Sequence, residues 1–167
     1  MTKSDLEKNP EKILIVDDEH EICETLAEFL SQYFKEVRFT SNSEEALKFL
    51  TNENFDLIIS DLMMPQLKGN EMIALLRSKG RLTPVIFISG AASKEDAINA
   101  LRLNAADFIE KPFSEDYILK SVLKALELER RTRELYSNLI AEKDKQKLIE
   151  SQKKMIGLLE VSRIQKD

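Results

Sequence analysis

The apolar residues of this chain alternate between two rhythms. Five short runs, Lys12-Ile13-Leu14-Ile15-Val16, Val37-Arg38-Phe39-Thr40, Leu57-Ile58-Ile59, Pro84-Val85-Ile86-Phe87-Ile88 and Asp107-Phe108-Ile109-Glu110, have the length and composition of strands. Between them apolar positions recur every three or four residues. Ile22, Leu26, Phe29, Leu30 and Phe34 make one amphipathic helix, and Ala46, Leu47, Phe49 and Leu50 make a second, capped by Ser43. Met72, Ile73, Leu75 and Leu76 form a third that stops near Gly80. Ala97, Ile98, Ala100 and Leu101 form a fourth, opened by Ser93-Lys94-Glu95-Asp96 and ended by a left-handed Asn104. Ser114 caps a last helix that packs Ile118, Leu119, Val122, Leu123 and Leu126 on the sheet.

Strand and helix alternate five times. That order predicts an α/β fold, a doubly wound five-stranded parallel sheet with helices on both faces and right-handed crossovers. Leu57-Ile58-Ile59 is apolar at consecutive positions, which suits a strand buried on both sides. The weaker Val37–Thr40 run suits a sheet edge.

Turn-forming residues divide the chain. All four prolines, and Gly69, Gly80 and Gly90 of the four glycines, precede Ser114. Residues 1–10 read as a loose arm that extends to about Glu11, 11–127 as a compact domain and 128–167 as a helical extension. Charge follows this division. Through Phe113 there are 13 Lys/Arg against 20 Asp/Glu, net -7, and beyond it 12 against 10, net +2.

Composition narrows the function. With 43% hydrophobic and 33% charged residues the 167-residue chain can build a core and still carry long exposed helices. A net charge of -5 argues against general nucleic-acid binding, so no direct DNA contact is expected. Cys23 is the sole cysteine, so no disulfide forms within the chain and a reducing compartment is expected. No apolar stretch approaches a membrane span and Met1–Pro10 is polar, so a cytoplasmic location away from membranes is expected.

The chemistry lies at the strand ends. The first strand runs into Asp17-Asp18, the third into Asp61, the fourth into Ser89 and the fifth into Lys111. In a parallel sheet these ends share one edge, where open α/β folds place their ligands. Clustered carboxylates repel unless compensated. Lys111 supplies one positive charge, and a hard divalent cation, Mg²⁺ or alternatively Mn²⁺, suits the oxygen donors. A carboxylate beside such a cation can attack a phosphoryl group. Ser89 can donate to one phosphoryl oxygen and Lys111 can pair with another.

Asp17-Asp18, Asp61 with Met64-Pro65 and Gly69, Ser89-Gly90 and Lys111-Pro112-Phe113, taken together and in this order, resemble the receiver domain of two-component response regulators over about Glu11–Glu127. The resemblance implies a flavodoxin-like strand order 2-1-3-4-5. It implies phosphoryl transfer to Asp61 from the phosphohistidine of a sensor histidine kinase or phosphotransfer protein. It implies that Asp18, Asp61 and the backbone carbonyl of Met63 bind Mg²⁺, with Asp17 acting through water. Ser89 and Lys111 would sense the phosphoryl group, and Phe108 would be an aromatic switch, although it can equally be plain core. Met63 and Ala91 stand where other members often carry side chains that approach the attacking water. Neither can polarise water, so a long phosphoryl lifetime is expected.

The extension shows an imperfect stripe, Leu128, Leu135, Leu139, Ile149 and Ile156, interrupted by the charged Glu142–Lys147. A second apolar cluster comprises Leu148, Ile149, Met155, Ile156, Leu158, Leu159, Val161 and Ile164. One straight helix from Ser114 to the end of the extension would run about 80 Å at ~1.5 Å per residue and would need a partner for its stripe. A parallel coiled-coil homodimer is expected. Alternatives are a helix that breaks at Glu142–Lys147 and folds back, and a frayed linker. Arg130, Arg131 and Arg133 are flanked by Glu127, Glu129 and Glu134 and read as a solvated face.

The expected function is a phosphorylation-dependent receiver that alters self-association or partner docking, not a turnover enzyme. One alternative is a constitutive coiled-coil dimer whose receiver docks partners without a change of assembly. A Mg²⁺-dependent aspartyl phosphatase is another, disfavoured because the first strand is followed by Asp17-Asp18-Glu19 and not by Asp-x-Asp. His20 lacks partners for a relay role, and Cys23, on the first helix, reads as a small buried or half-buried residue.

Overall fold

The computed structural model describes residues 8–91 and 93–164, with side chains described through residue 156. Ten elements follow one another: β1 (Asn9–Val16), α1 (His20–Leu30), β2 (Phe34–Thr40), α2 (Ser43–Asn52), β3 (Leu57–Asp61), α3 (Gly69–Ser78), β4 (Val85–Ser89), α4 (Lys94–Arg102), β5 (Asp107–Glu110) and α5 (Glu115–Ile164). The strands form one sheet in the order β2-β1-β3-β4-β5, every pair parallel. This is the expected flavodoxin-like order, with the weak second strand at an edge.

Strand alternation builds two core layers. Ile13, Ile15, Leu57, Ile59, Ile86, Ile88 and Ile109 face one side and pack with Leu26 and Leu30 of α1 and Ile118 and Val122 of α5. Leu14, Val16, Ile58, Val85 and Phe87 face the other and pack with α2, α3 and Ala100 of α4. All five residues of β3 and all five of β4 are buried. The sheet is thus held from both faces, which fixes the carboxyl edge.

Several local expectations are corrected. β1 begins at Asn9, inside the expected arm, because the Asn9 N–H donates to the Tyr33 carbonyl at 2.8 Å. The β1–β2 register shifts between Asn9 and Lys12, so Pro10, which lacks an N–H, lies where the ladder is already irregular. Residues 1–7 of the arm lie outside the described residues. Phe34 opens β2 and does not close α1, and it fills the core from the strand. Asn42, not Ser43, caps α2, its Oδ1 accepting from the N–H groups of Glu44 and Glu45. Leu123 is exposed at 44%, and Ala125 takes the buried place beside Leu126. Two expectations hold in detail. Ser93 and Asp96 form a reciprocal capping box on α4, and Asn104 has φ 56°.

The chain divides into two compact units, Met1–Glu127 and Leu128–Asp167. Within the second, α5 passes through Glu142–Lys147 without interruption, so the fold-back alternative does not hold. Leu128, Leu135, Leu139, Ile149 and Ile156 are all exposed there. The expected cluster members Leu158, Leu159, Val161 and Ile164 have side chains outside the described residues. No described helix is long and apolar enough to cross a membrane.

Two glycines answer to different constraints. A Cβ on Gly69 would overlap the Asp61 carbonyl oxygen and reach 2.8 Å from Ser60 Oγ. Gly80 has open space around it but φ +74°. Gly69→Ala is therefore expected to cost on the order of 2 kcal/mol by overpacking, and Gly80→Ala about 1 kcal/mol through its left-handed backbone. Urea denaturation of both variants checks this, and a Gly69→Ala protein as stable as the parent would contradict the close approach.

Candidate functional site

The site is assembled by strand register. Val16 pairs with Ser60, so Asp17 and Asp61 leave β1 and β3 side by side. Asp61 pairs with Ile88 on β4, and the next residue, Ser89, pairs with Glu110 on β5. The Lys111 N–H donates to the Ser89 carbonyl at 2.8 Å, so Lys111 begins at this same edge. The β3–α3 loop is tied back as well, with the Leu62 N–H donating to Ile88 at 2.9 Å and the Gly69 N–H to Leu62 at 3.0 Å.

Burial grades the acidic residues. Asp17 is fully buried, Asp61 is 4% exposed and Asp18 is open to solvent. One carboxylate oxygen from each of Asp17, Asp18 and Asp61 lies within 4.8 Å of the others. A small oxygen-loving cation fits such a set, and the exposed side toward Asp18 leaves room for its water. Lys111 reaches in from β5. Its Nζ lies 2.8 Å from Asp17 Oδ2, 3.0 Å from Glu19 Oε1 and 3.6 Å from Asp61 Oδ1.

These neighbours shift the titrations. Burial pushes the Asp61 carboxyl up to about 6, and the charge of Asp17 adds to this while Lys111 opposes it. Burial also raises Asp17, against the hydrogen bond from Lys111. Burial works against the charge on Lys111, yet its bonds to Asp17 and Glu19 prevail and hold it charged above the usual lysine range. Burial pushes the Cys23 thiol up to about 12, with Asp17 contributing. That thiol donates to the Asp17 carbonyl at 3.2 Å, so Cys23 is a buried packing residue.

The other sequence-designated residues fall as follows. Ser89 is buried, and its Oγ accepts a long bond from the Ala91 N–H at 3.4 Å. Met63 is half-exposed on the β3–α3 loop, while Met64 is buried in the second core layer. Phe108 is half-buried against that same layer and, with Pro112, Phe113 and Tyr117, lines a shallow groove. His20 stands apart from the acidic group, its ring edge-on to Phe39.

Sequence reasoning passed over Glu19. It occupies the N-cap of α1, where Ser, Thr, Asp or Asn would be usual, yet its side chain makes no capping bond. That mismatch of residue and position was the available signal.

The family model described as a response regulator receiver domain matches residues 13–123. A putative response regulator, NtrX-like, from Rickettsia bellii is 33% identical over 142 residues, which cover 82% of this chain and 29% of that protein. The transcriptional regulatory protein DltR of Streptococcus agalactiae is 30% identical over 111 residues, 66% of this chain and 50% of that one. The chain thus spans half or less of these two relatives. A CheY-like response regulator receiver domain protein from Methanospirillum hungatei superposes with a TM-score of 0.70 at 26% identity, over 74% of this chain and 99% of that one.

A carboxyl with a folded pKa near 6 and an unfolded value near 4 binds its proton more tightly when folded. Its contribution therefore favours the fold at acid pH and is lost as pH rises from about 4 to 6. Asp61→Asn is expected to stabilise the metal-free protein at pH 7 by on the order of 2 kcal/mol, with the gain vanishing near pH 4. Denaturation at both pH values measures this, and an equal gain at each would contradict a charge origin.

Proposed function

Because this chain belongs to the receiver domain family of response regulators, we propose that it is a signalling phosphoacceptor in which Asp61 takes a phosphoryl group from the phosphohistidine of a sensor kinase or phosphotransfer protein. The observation that carries this reading is the placement of Asp61. It is a nearly buried carboxylate at the end of a central strand, flanked by two acids and 3.6 Å from the Lys111 ammonium. An Asp61 oxygen forms the new O–P bond as the donor imidazole N–P bond breaks, and the electron pair leaves with the imidazole.

Asp18, Asp61 and the Met63 carbonyl would hold Mg²⁺, or Mn²⁺, with Asp17 reaching it through water. The ion would neutralise charge that builds on the phosphoryl oxygens. Lys111 pairs with one phosphoryl oxygen, and the Ser89 hydroxyl, which has no acceptor among the described residues, donates to another. Movement of Ser89 draws Phe108 inward from its half-buried position. Asp61 is the sole carboxylate on β3, and β1 runs into Asp17-Asp18-Glu19 and not into Asp-x-Asp, so a phosphatase built on the first strand is not favoured.

Signal output is read as altered self-association or docking. The exposed apolar stripe of the second unit supports a parallel homodimer through residues 128–167, the receiver unit being 11–127. The reading places no DNA contact in this chain and keeps it in the cytoplasm.

Light scattering with Mg²⁺ and beryllofluoride is expected to show a mass change in the wild type and none in Asp61→Asn. An unchanged dimer that still binds the mimic would instead make the helix a constitutive dimeriser, and a monomer throughout would remove the dimer. Met63 and Ala91 offer no group to activate water, so phosphoryl-Asp61 is expected to outlast a decay of seconds. Direct observation of the phosphorylated protein over time tests this.

A further inference from the structure

Lys111 is claimed by more carboxylates than the phosphoryl chemistry requires. Asp17 and Glu19 hold its Nζ at 2.8 and 3.0 Å, whereas Asp61 is at 3.6 Å. Glu19 reaches Lys111 across 92 residues of sequence. Its backbone is pinned, the Glu19 N–H donating to Asp17 Oδ1 at 2.9 Å. Its side chain makes no capping bond to the helix it precedes. It is also 63% exposed, so it can swing into water at small cost.

We propose that Glu19 is a positioning residue that, with Asp17, draws the Lys111 ammonium into contacts shorter than the one it makes with Asp61 in the unphosphorylated receiver, and must release it when the phosphoryl group arrives. The inference rests on Asp61 being the acceptor. Two effects share one sign for an incoming anion. The Glu19 contact competes for the lysine, and the Glu19 carboxylate repels the phosphoryl oxygens. For an incoming cation the sign reverses, because Glu19 adds negative potential beside Asp18. Glu19 therefore favours the metal and opposes the phosphoryl group, which sets how readily the receiver stays loaded.

That opposition separates a positioning role from a structural one. Titration calorimetry of Mg²⁺ alone, and of beryllofluoride at saturating Mg²⁺, is made on wild type, Glu19→Gln, Glu19→Asp and Asp61→Asn. Glu19→Gln is expected to bind beryllofluoride tighter by a factor of about two to five and Mg²⁺ weaker by a similar factor, with both changes shrinking in high salt. Glu19→Asp keeps the charge but shortens the reach, and is expected to share the tighter beryllofluoride binding while its Mg²⁺ affinity stays near wild type. Weakening of both ligands in Glu19→Gln would mean a damaged loop and would overturn the proposal, as would no change in either. Glu19→Asp behaving as wild type toward beryllofluoride would reduce Glu19 to a distant charge and also overturn it. Failure of the wild type to bind beryllofluoride, or binding by Asp61→Asn, would instead remove the acceptor reading, and this inference with it.

Discussion

Parallel pairing of β1 with β3 puts Val16 opposite Ser60, and the next residue on each strand is an aspartate. Two carboxylates must then emerge together from a sheet in which β3, β4 and the last four residues of β1 are buried. Burial of a carboxylate is costly and a like charge beside it adds to the cost, and the raised Asp61 pKa of about 6 expresses first the burial and then the charge of Asp17. The remaining features of the site can be understood as compensation. Lys111 arrives from β5 because β4 and β5 bring Ser89 and Glu110 into register. Asp18 stays in water, where a third carboxylate costs least.

The apolar layers supply the force that maintains this arrangement. Seven isoleucines and leucines on one sheet face and five large residues on the other are covered by helices, and burial of such side chains contributes roughly 1.5–3 kcal/mol each. That driving force greatly exceeds the penalty of a few kcal/mol for one misplaced charge. Gly69 shows how tightly the two demands meet. The start of α3 approaches the Asp61 carbonyl so closely that no side chain fits between them.

What was legible in the sequence was what repeats or lies at a boundary. Strand runs such as Leu57-Ile58-Ile59 and the polar residues ending them were readable because a parallel sheet places equivalent ends together. Phe34 misled because it lies four residues after Leu30, so helical spacing continued past the true end of α1. Asn42 and Ser43 are both good caps, and only the backbone decides between them. Asn9 was hidden because its strand character comes from the Tyr33 carbonyl, not from its own neighbours. Glu19 was hidden for the same reason, since its meaning lies in a lysine 92 residues away. Local pattern fixes elements, whereas contacts made at long range must be seen.

Hydrogen bonds through Asp107 tie β5 to the last helix. The Phe108 N–H donates to Asp107 Oδ1 at 2.8 Å, and Asp107 Oδ2 accepts from the buried Ser121 hydroxyl of α5 at 2.6 Å. Phe108 therefore sits one residue from the anchor that ties β5 to the last helix. Adjacency of this kind is not coupling, which requires an element with two arrangements that the ligand favours unequally. Phe108 is half-buried and lines a shallow groove with Pro112, Phe113 and Tyr117, which is the setting the proposed switch would need. The required bias is small, because about 1.4 kcal/mol shifts an association equilibrium tenfold. The exposed apolar side chains of the second unit are the surface on which the proposed self-association rests. Under the proposed homodimer, a bias of that size from a phosphoryl group on Asp61 would be enough to change the population of the assembly.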